Sequence, residues 1–288
     1  MWWNVEYKVK DRLNNQIIIK ENKINIFLYT TKLGRIILKI IVLPFISKIV
    51  GLYQNSIFSK NMIPKFIKNN HINMNDYEKK DYKSFNEFFT RKIKEGKRKI
   101  DDDKYNLISP CDAKLKVYKL TKDLVFNIKN SKYTLNDLID SNMKLDMDNA
   151  YALVFRLCVD DYHRYSYIDS GYQEENNHIK GVLHTVRPIA TNNLNVFTQN
   201  EREWTTLHTK NFGDVIEIEI GALMVGKIVN VHSNYEFIKG EEKGYFKFGA
   251  STIILIINNV NIDEDILLNS ANDIETIVKL GEKIGRKC

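Results

Sequence analysis

Residues 214–220 read Asp-Val-Ile-Glu-Ile-Glu-Ile. This period of two predicts a strand with Ile216, Ile218 and Ile220 on a core face and Glu217 and Glu219 toward water. Residues 245–248 and 252–257 are rich in aromatic and β-branched side chains and predict strands on either side of Gly249-Ala250-Ser251. Residues 239–244 carry two glycines among charges and predict a turn. Ser84-Phe85-Asn86-Glu87 has the spacing of a capping box, so a helix is expected through Phe88, Phe89 and Arg91. Phe88 and Phe89 then read first as core residues, since an amphipathic helix buries such pairs. Residues 33–52 are apolar enough to suggest a membrane span, but the charge-free run between Lys39 and Lys48 is 8 residues, against the ~20 a spanning helix needs. Pro44 also interrupts that stretch.

Charge sharpens the picture. Residues 1–100 carry 21 Lys and Arg against 8 Asp and Glu, a net +13, whereas the remaining 188 carry 22 against 28, a net −6. A basic front end points to nucleic acid or an anionic membrane. Its Lys and Arg sit among aliphatics instead of forming a polar, aromatic-studded face, so the membrane is favoured and no nucleic-acid partner is expected. Residues 33–52 keep two readings, a helix lying in the membrane interface or one packed on the protein's own core. The abrupt change from Lys97-Arg98-Lys99 to Asp101-Asp102-Asp103 suggests a boundary near residue 100, with a basic helical region at 1–100 and a β-rich body at 101–288. The expected class is α+β, with a sandwich or barrel-like body. Cys111, Cys158 and Cys288 are too few and too scattered for a disulfide framework or zinc site, so no metal is expected. The N-terminus lacks a signal-peptide pattern, which suggests a location on the cytoplasmic side.

Gly249-Ala250-Ser251 on its own is a small-residue pair before a strand, the usual mark of a bulge. In context it resembles the self-cleavage site of phosphatidylserine decarboxylases, Gly-Ser-Thr after an aromatic-rich strand. Four further stretches resemble that family in its order. They are Phe88-Phe89-Thr90-Arg91, Ser109-Pro110-Cys111-Asp112-Ala113, Asp161-Tyr162-His163-Arg164 and Gly221-Ala222-Leu223-Met224-Val225-Gly226.

The resemblance implies a chain that cuts itself between Ala250 and Ser251 and turns Ser251 into a covalent pyruvoyl group, the only cofactor. Oγ of Ser251 would attack the carbonyl of residue 250, with His163 as base and Asp112 as its orienter, the division of roles of a hydrolytic triad. The ketone would then condense with the amine of phosphatidylserine and release phosphatidylethanolamine, with His163 also the proton donor. Fragments 1–250 and 251–288 would stay associated at a membrane surface as a peripheral protein; a homodimer is left open.

Three positions depart from the family pattern. Ser166 stands where many members have a second His, Ala113 replaces a Gly, and Ala250 replaces the Gly before the cut. If residue 250 needs a positive φ, alanine there is strained and glycine would process faster. His184 is a further pocket-lining candidate, equally readable as structural. Decarboxylation of another amino acid remains an alternative, as does a non-catalytic membrane-binding homologue. So does a biotinyl- or lipoyl-type carrier, since residues 278–285 resemble a carrier hairpin.

Overall fold

The isoleucine stripe organises the molecule. A computed structural model describes residues 5–13, 15–78, 80–128, 131–143, 147–223 and 227–288. Its main sheet has 11 strands and runs Tyr235–Phe237, Gly171–Gln173, Arg202–Thr209, Gly213–Gly221, Ser251–Ile257, Tyr151–Leu157, Ala113–Lys119, Ile274–Val278, β1 (Glu6–Lys10) and β2 (Gln16–Lys20), with Asn177–Ile179 also on Arg202–Thr209. The order runs from edge to edge, so the sheet is open. One face buries Ile216, Ile218, Ile220, Ile254 and Ile256, and the other buries Val215, Ile253, Leu255 and Phe155. Two three-stranded sheets supply Ile228, Tyr165 and Phe246, and Leu107, Ile262 and Ile284, to that second core. The class is α+β with a β-rich, layered body.

Glu217 and Glu219 correct the solvent-facing expectation. Both are fully buried, because their strand lies between two others and its second face is covered by the strand Glu242–Phe246. That strand supplies Lys243, fully buried itself, which pairs closely with Glu219 and lies 3.9 Å from Glu217. Burial, against the opposing pull of Lys243 and reinforced by Glu219, pushes the Glu217 carboxyl up to about 8, so it is mostly protonated at neutral pH. Period-two alternation reports which residues share a face; it does not say that the polar face is wet.

Two strands, Glu6–Lys10 and Gln16–Lys20, also correct the reading of a helical front end. β1 runs parallel to Ile274–Val278 and extends the body's sheet, with Ile17, Ile18 and Ile19 supplying β-branched residues in β2. Helices follow: α1 (Lys23–Thr30), α2 (Lys32–Ile41), α3 (Pro44–Asn55), α4 (Ile63–Asn69) and α5 (Phe85–Phe89). The capping box forms: Ser84 Oγ accepts from the Glu87 N–H, and Glu87 reaches back to the Lys83 N–H. The helix stops at Phe89, leaving Arg91 beyond its end.

No single described helix is long and apolar enough to cross a membrane; α2 and α3 together have the length and composition but are bent by 62°. In α2 only Gly34 and Leu38 are buried, and in α3 only Ser47 and Gln54. Leu33, Ile36, Ile40, Phe45, Ile49 and Leu52 are exposed. The apolar face of residues 33–52 is therefore turned outward, away from the protein's own core.

The buried Lys243 gives a stability prediction. Lys243→Met should lower unfolding free energy by about 3–5 kcal/mol in urea titration, because Glu219 loses its buried counter-charge. A loss under ~1 kcal/mol would mean that the cluster is hydrated.

Candidate active site

Ser251 opens an interior strand. It pairs with Gly221 on one side and Leu157 on the other, is fully buried, and its Oγ has no hydrogen-bond partner. The approach to it is fixed by packing. Phe248 sits 4.9 Å from Phe85 and 5.0 Å from Phe89, ring centre to ring centre, and its N–H donates to Asn86 Oδ1. The Phe-Phe helix thus clamps the chain three residues before the serine. Gly249 adopts φ +138°, a conformation that favours glycine, whereas Ala250 is not among the positive-φ residues. This corrects the expectation of strain at 250: the special backbone geometry belongs to Gly249, and glycine at 250 would relieve nothing.

His163 lies against Phe89, ring centres 4.2 Å apart, and is almost wholly buried. Its Nδ1 is 2.9 Å from the Asp161 carbonyl oxygen. A carbonyl only accepts, so Nδ1 carries the proton and Nε2 keeps its lone pair. Nε2 is buried without a partner. Burial is the largest influence on the ring and lowers its pKa to about 3, with Arg91 adding to the effect and the Asp161 and Gly249 backbones opposing it. The imidazole is therefore neutral at physiological pH, with a free basic nitrogen near the backbone that leads to Ser251. A neutral, oriented imidazole is competent to remove a proton from a hydroxyl that reaches its unprotonated nitrogen.

Asp112 does not orient His163. Its carboxylate is held by Arg98 through Nε at 2.8 Å and Nη2 at 2.5 Å, by Lys279 at 3.2 Å, and by the Leu280 N–H at 2.9 Å. Burial favours its protonation, but the Arg98 hydrogen bond and the charges of Lys279 and Arg98 outweigh it and hold the group below the usual carboxylate range. The reason is topological: the Gly281 turn, at φ +81°, brings Lys279 and Leu280 onto Asp112, whose oxygens these groups and Arg98 already occupy. The apparent carrier hairpin is this turn. Asp112 thereby ties residues on the two sides of the Ala250–Ser251 bond.

The Asp161-Tyr162-His163-Arg164 stretch is locked throughout. Asp161 binds Lys114 at 2.6 Å, Tyr162 accepts from the Ile93 N–H, and Arg164 donates to Thr90 O and Glu242. Ser166 donates its backbone N–H to Pro110 O, and its buried Oγ has no partner. His184 stands apart from Ser251's own row, bonded through Nδ1 to Tyr29 Oη at 3.2 Å and lining a cavity of about 530 Å³ beside α2. Met224, Val225 and Gly226 of the Gly-Ala stretch lie outside the described residues.

The fold thus buries an unpartnered serine at the start of a strand and a neutral imidazole close to the Gly249 backbone, two residues before that serine. Comparison with known proteins gives the family. The phosphatidylserine decarboxylase family model matches residues 85–286. The chain is 50% identical over 263 residues to phosphatidylserine decarboxylase proenzyme 2 of Clostridium acetobutylicum, covering 90% of each. It is 42% identical over 268 residues to the proenzyme of Clostridium kluyveri, again 90% of each, and 42% identical over 251 residues to that of Clostridium tetani, 84% of each. The chain belongs to the phosphatidylserine decarboxylase family.

The lowered pKa of His163 has two consequences of opposite reach. For stability, the unfolded ring binds a proton below about 6.5 and the folded one only near 3, so stability from this group is full above 6.5 and falls as pH drops between those values. For base catalysis, Nε2 stays unprotonated across that whole window. Chain cleavage by folded protein should therefore show no inflection near 6.5 between pH 5 and 8 in quenched time courses. A rate that halves near 6.5 would show that His163 titrates normally.

Proposed function

We propose that this protein cuts itself before Ser251 and then decarboxylates phosphatidylserine to phosphatidylethanolamine at an anionic membrane surface. The observation that carries the reading is that Ser251 Oγ and His163 Nε2 are both buried without a hydrogen-bond partner. His163 Nε2 takes the hydroxyl proton as Oγ attacks the Ala250 carbonyl carbon. The amide C–N bond then breaks, its nitrogen takes up a proton, and Ala250 is left esterified to Ser251. Removal of the Ser251 α-proton expels the Ala250 carboxylate from Cβ and leaves dehydroalanine; water displaces its nitrogen as ammonia, and residue 251 becomes a pyruvoyl group.

Residue 251 fits that group, since it is water-excluded, begins a strand, and its hydroxyl has no hydrogen bond to lose. The ketone supplies an electron sink for the breaking carboxylate bond of an amino acid. The chain's own part is to exclude water, hold the reacting residue on its strand, and move protons through His163 Nε2. Association of fragments 1–250 and 251–288 is supported by the strand pairs of Ser251–Ile257 with both neighbours, of Ile274–Val278 with Ala113–Lys119, and by Asp112 on Lys279 and Leu280.

Docking is supported by the outward apolar face of α2 and α3, extended by exposed Ile57 and Phe58, with Lys32, Arg35, Lys39 and Lys48 beside it. Aliphatic side chains enter the interface while the cations meet anionic headgroups.

Ser251→Ala should remain a single chain on denaturing gels and release no carbon dioxide from phosphatidylserine, whereas wild type gives two chains and activity. A cleaved Ser251→Ala product, or a cleaved wild type inert toward phosphatidylserine, would overturn the reading. Replacing Arg35, Lys39 and Lys48 with Glu should weaken flotation with anionic vesicles and leave the weaker binding to neutral vesicles nearly unchanged, at low salt. Identical flotation of both proteins with both vesicle types would rule out charge-assisted docking.

A further inference from the structure

A second cavity, of about 260 Å³, lies where the membrane-facing helices meet the sheet. It is lined by Pro44, Ser47 and Lys48 of α3, by Leu183, Glu201 and Gly221, and by Lys227 and Ile228. Glu201, Gly221 and Ser251 form one row across the sheet. Gly221 donates its N–H to the Glu201 carbonyl at 2.9 Å and is the strand partner of Ser251. Paired residues on neighbouring strands present their side chains to the same face at about 5 Å spacing, so the cavity ends one strand from the reacting residue. Gly221 has no side chain to close that step. A Cβ there would come within 3.3 Å of Leu183 Cδ2 and narrow the passage.

The lining has the chemistry of an anion site. Ser47 is 3% exposed, and its Oγ has no hydrogen-bond partner. A buried hydroxyl left unpaired costs free energy unless something outside the chain pairs it. It sits in the first turn of the 12-residue α3, which no side chain caps and whose positive dipole end therefore adjoins the same cavity. Lys48 and Lys227 are both exposed at the lining, and Glu201 is the one acidic side chain among the residues that line it.

We propose that this cavity is the head-group subsite of the phospholipid substrate. The Ser47 hydroxyl, Lys48 and Lys227 take the anionic oxygens, and the Glu201–Gly221–Ser251 row leads the amino-acid end to residue 251. The proposal rests on the phosphatidylserine reading above and adds the residues that select the head group. Two lysines against one glutamate leave a net +1, which matches the net −1 of a phosphoserine head group and exceeds the zero net charge of a phosphoethanolamine one. Substrate is therefore held more tightly than product. The cavity is also below the ~300 Å³ at which clefts begin to enclose drug-sized ligands, so it takes a head group and leaves acyl chains on the apolar face of α2 and α3.

The test uses full-length, self-cleaved protein, dispersed short-chain phosphatidylserine as substrate, and the variants Ser47→Ala and Lys227→Gln. Lys48 is left intact because it also serves docking. Each variant should process itself fully, keep kcat within about twofold, and raise KM about tenfold, the loss expected for one hydrogen bond to a charged group. A purely structural Ser47 predicts the reverse, since removing an unpaired buried hydroxyl is neutral or stabilising and leaves KM alone. Titration with soluble glycerophosphoserine separates this proposal from the one it rests on. Binding that exceeds that of glycerophosphoethanolamine, and weakens in both variants, supports the subsite even if turnover fails for another reason. Unchanged KM in both processed variants, or glycerophosphoserine binding indifferent to both substitutions, overturns it.

Discussion

A carbonyl oxygen cannot donate a proton, and the 2.9 Å contact between Asp161 O and His163 Nδ1 therefore decides where the imidazole proton resides. That single constraint fixes the tautomer, points a lone pair from Nε2 into a dry site, and makes a carboxylate partner unnecessary. Burial completes the device by keeping the ring neutral. The division of labour resembles a hydrolytic triad with a backbone carbonyl in the third place. A backbone orienter cannot be protonated away, so the base is insulated from pH in a way that a carboxylate-oriented one is not.

Geometry at Ser251 comes from packing on both sides of the Ala250–Ser251 bond. Downstream, the serine is the first rung of a strand paired on both edges, which leaves it little freedom. Upstream, Phe248 is clamped in the aromatic cluster of α4 and α5, and Gly249 absorbs the turn between clamp and strand. The Asp112 cluster acts further off, joining residues that precede the Ala250–Ser251 bond to residues that follow it. Because that carboxylate is held ionised by Arg98 and Lys279, its contribution is present above the ordinary carboxylate pKa and is lost as pH falls through the lowered folded value.

Local signals in the sequence translated well where one element decides the outcome. The Ser84–Glu87 capping box, the isoleucine stripe and the strand that opens at Ser251 are all read from residues a few positions apart. What escaped was set by contacts distant in sequence. Glu217 and Glu219 looked solvated until Lys243, 24 positions beyond Glu219, covered them. Asp112 looked like an orienter until a turn 168 positions away brought the Leu280 N–H to it. Arg98 was hidden inside a basic run that read as a boundary. The one local clue to the true orienter was the Asp-x-His spacing, which places a carbonyl two residues before the ring. Glu6–Lys10 joins the sheet through the edge that Ile274–Val278 offers it, and Gln16–Lys20 pairs with it in turn.

The exposed apolar face of α2 and α3, the Ser47 cavity and Ser251 lie in sequence from α3 inward, so the path proposed for the head group is short. The account stands on the chemistry at the end of that path. Its most direct test is the intact mass of the purified protein under denaturing, non-reducing conditions. Two chains broken between Ala250 and Ser251, the smaller beginning with a pyruvoyl group in place of serine, is the result expected. A single uncut chain, or a small fragment that begins with an unmodified Ser251, would contradict it.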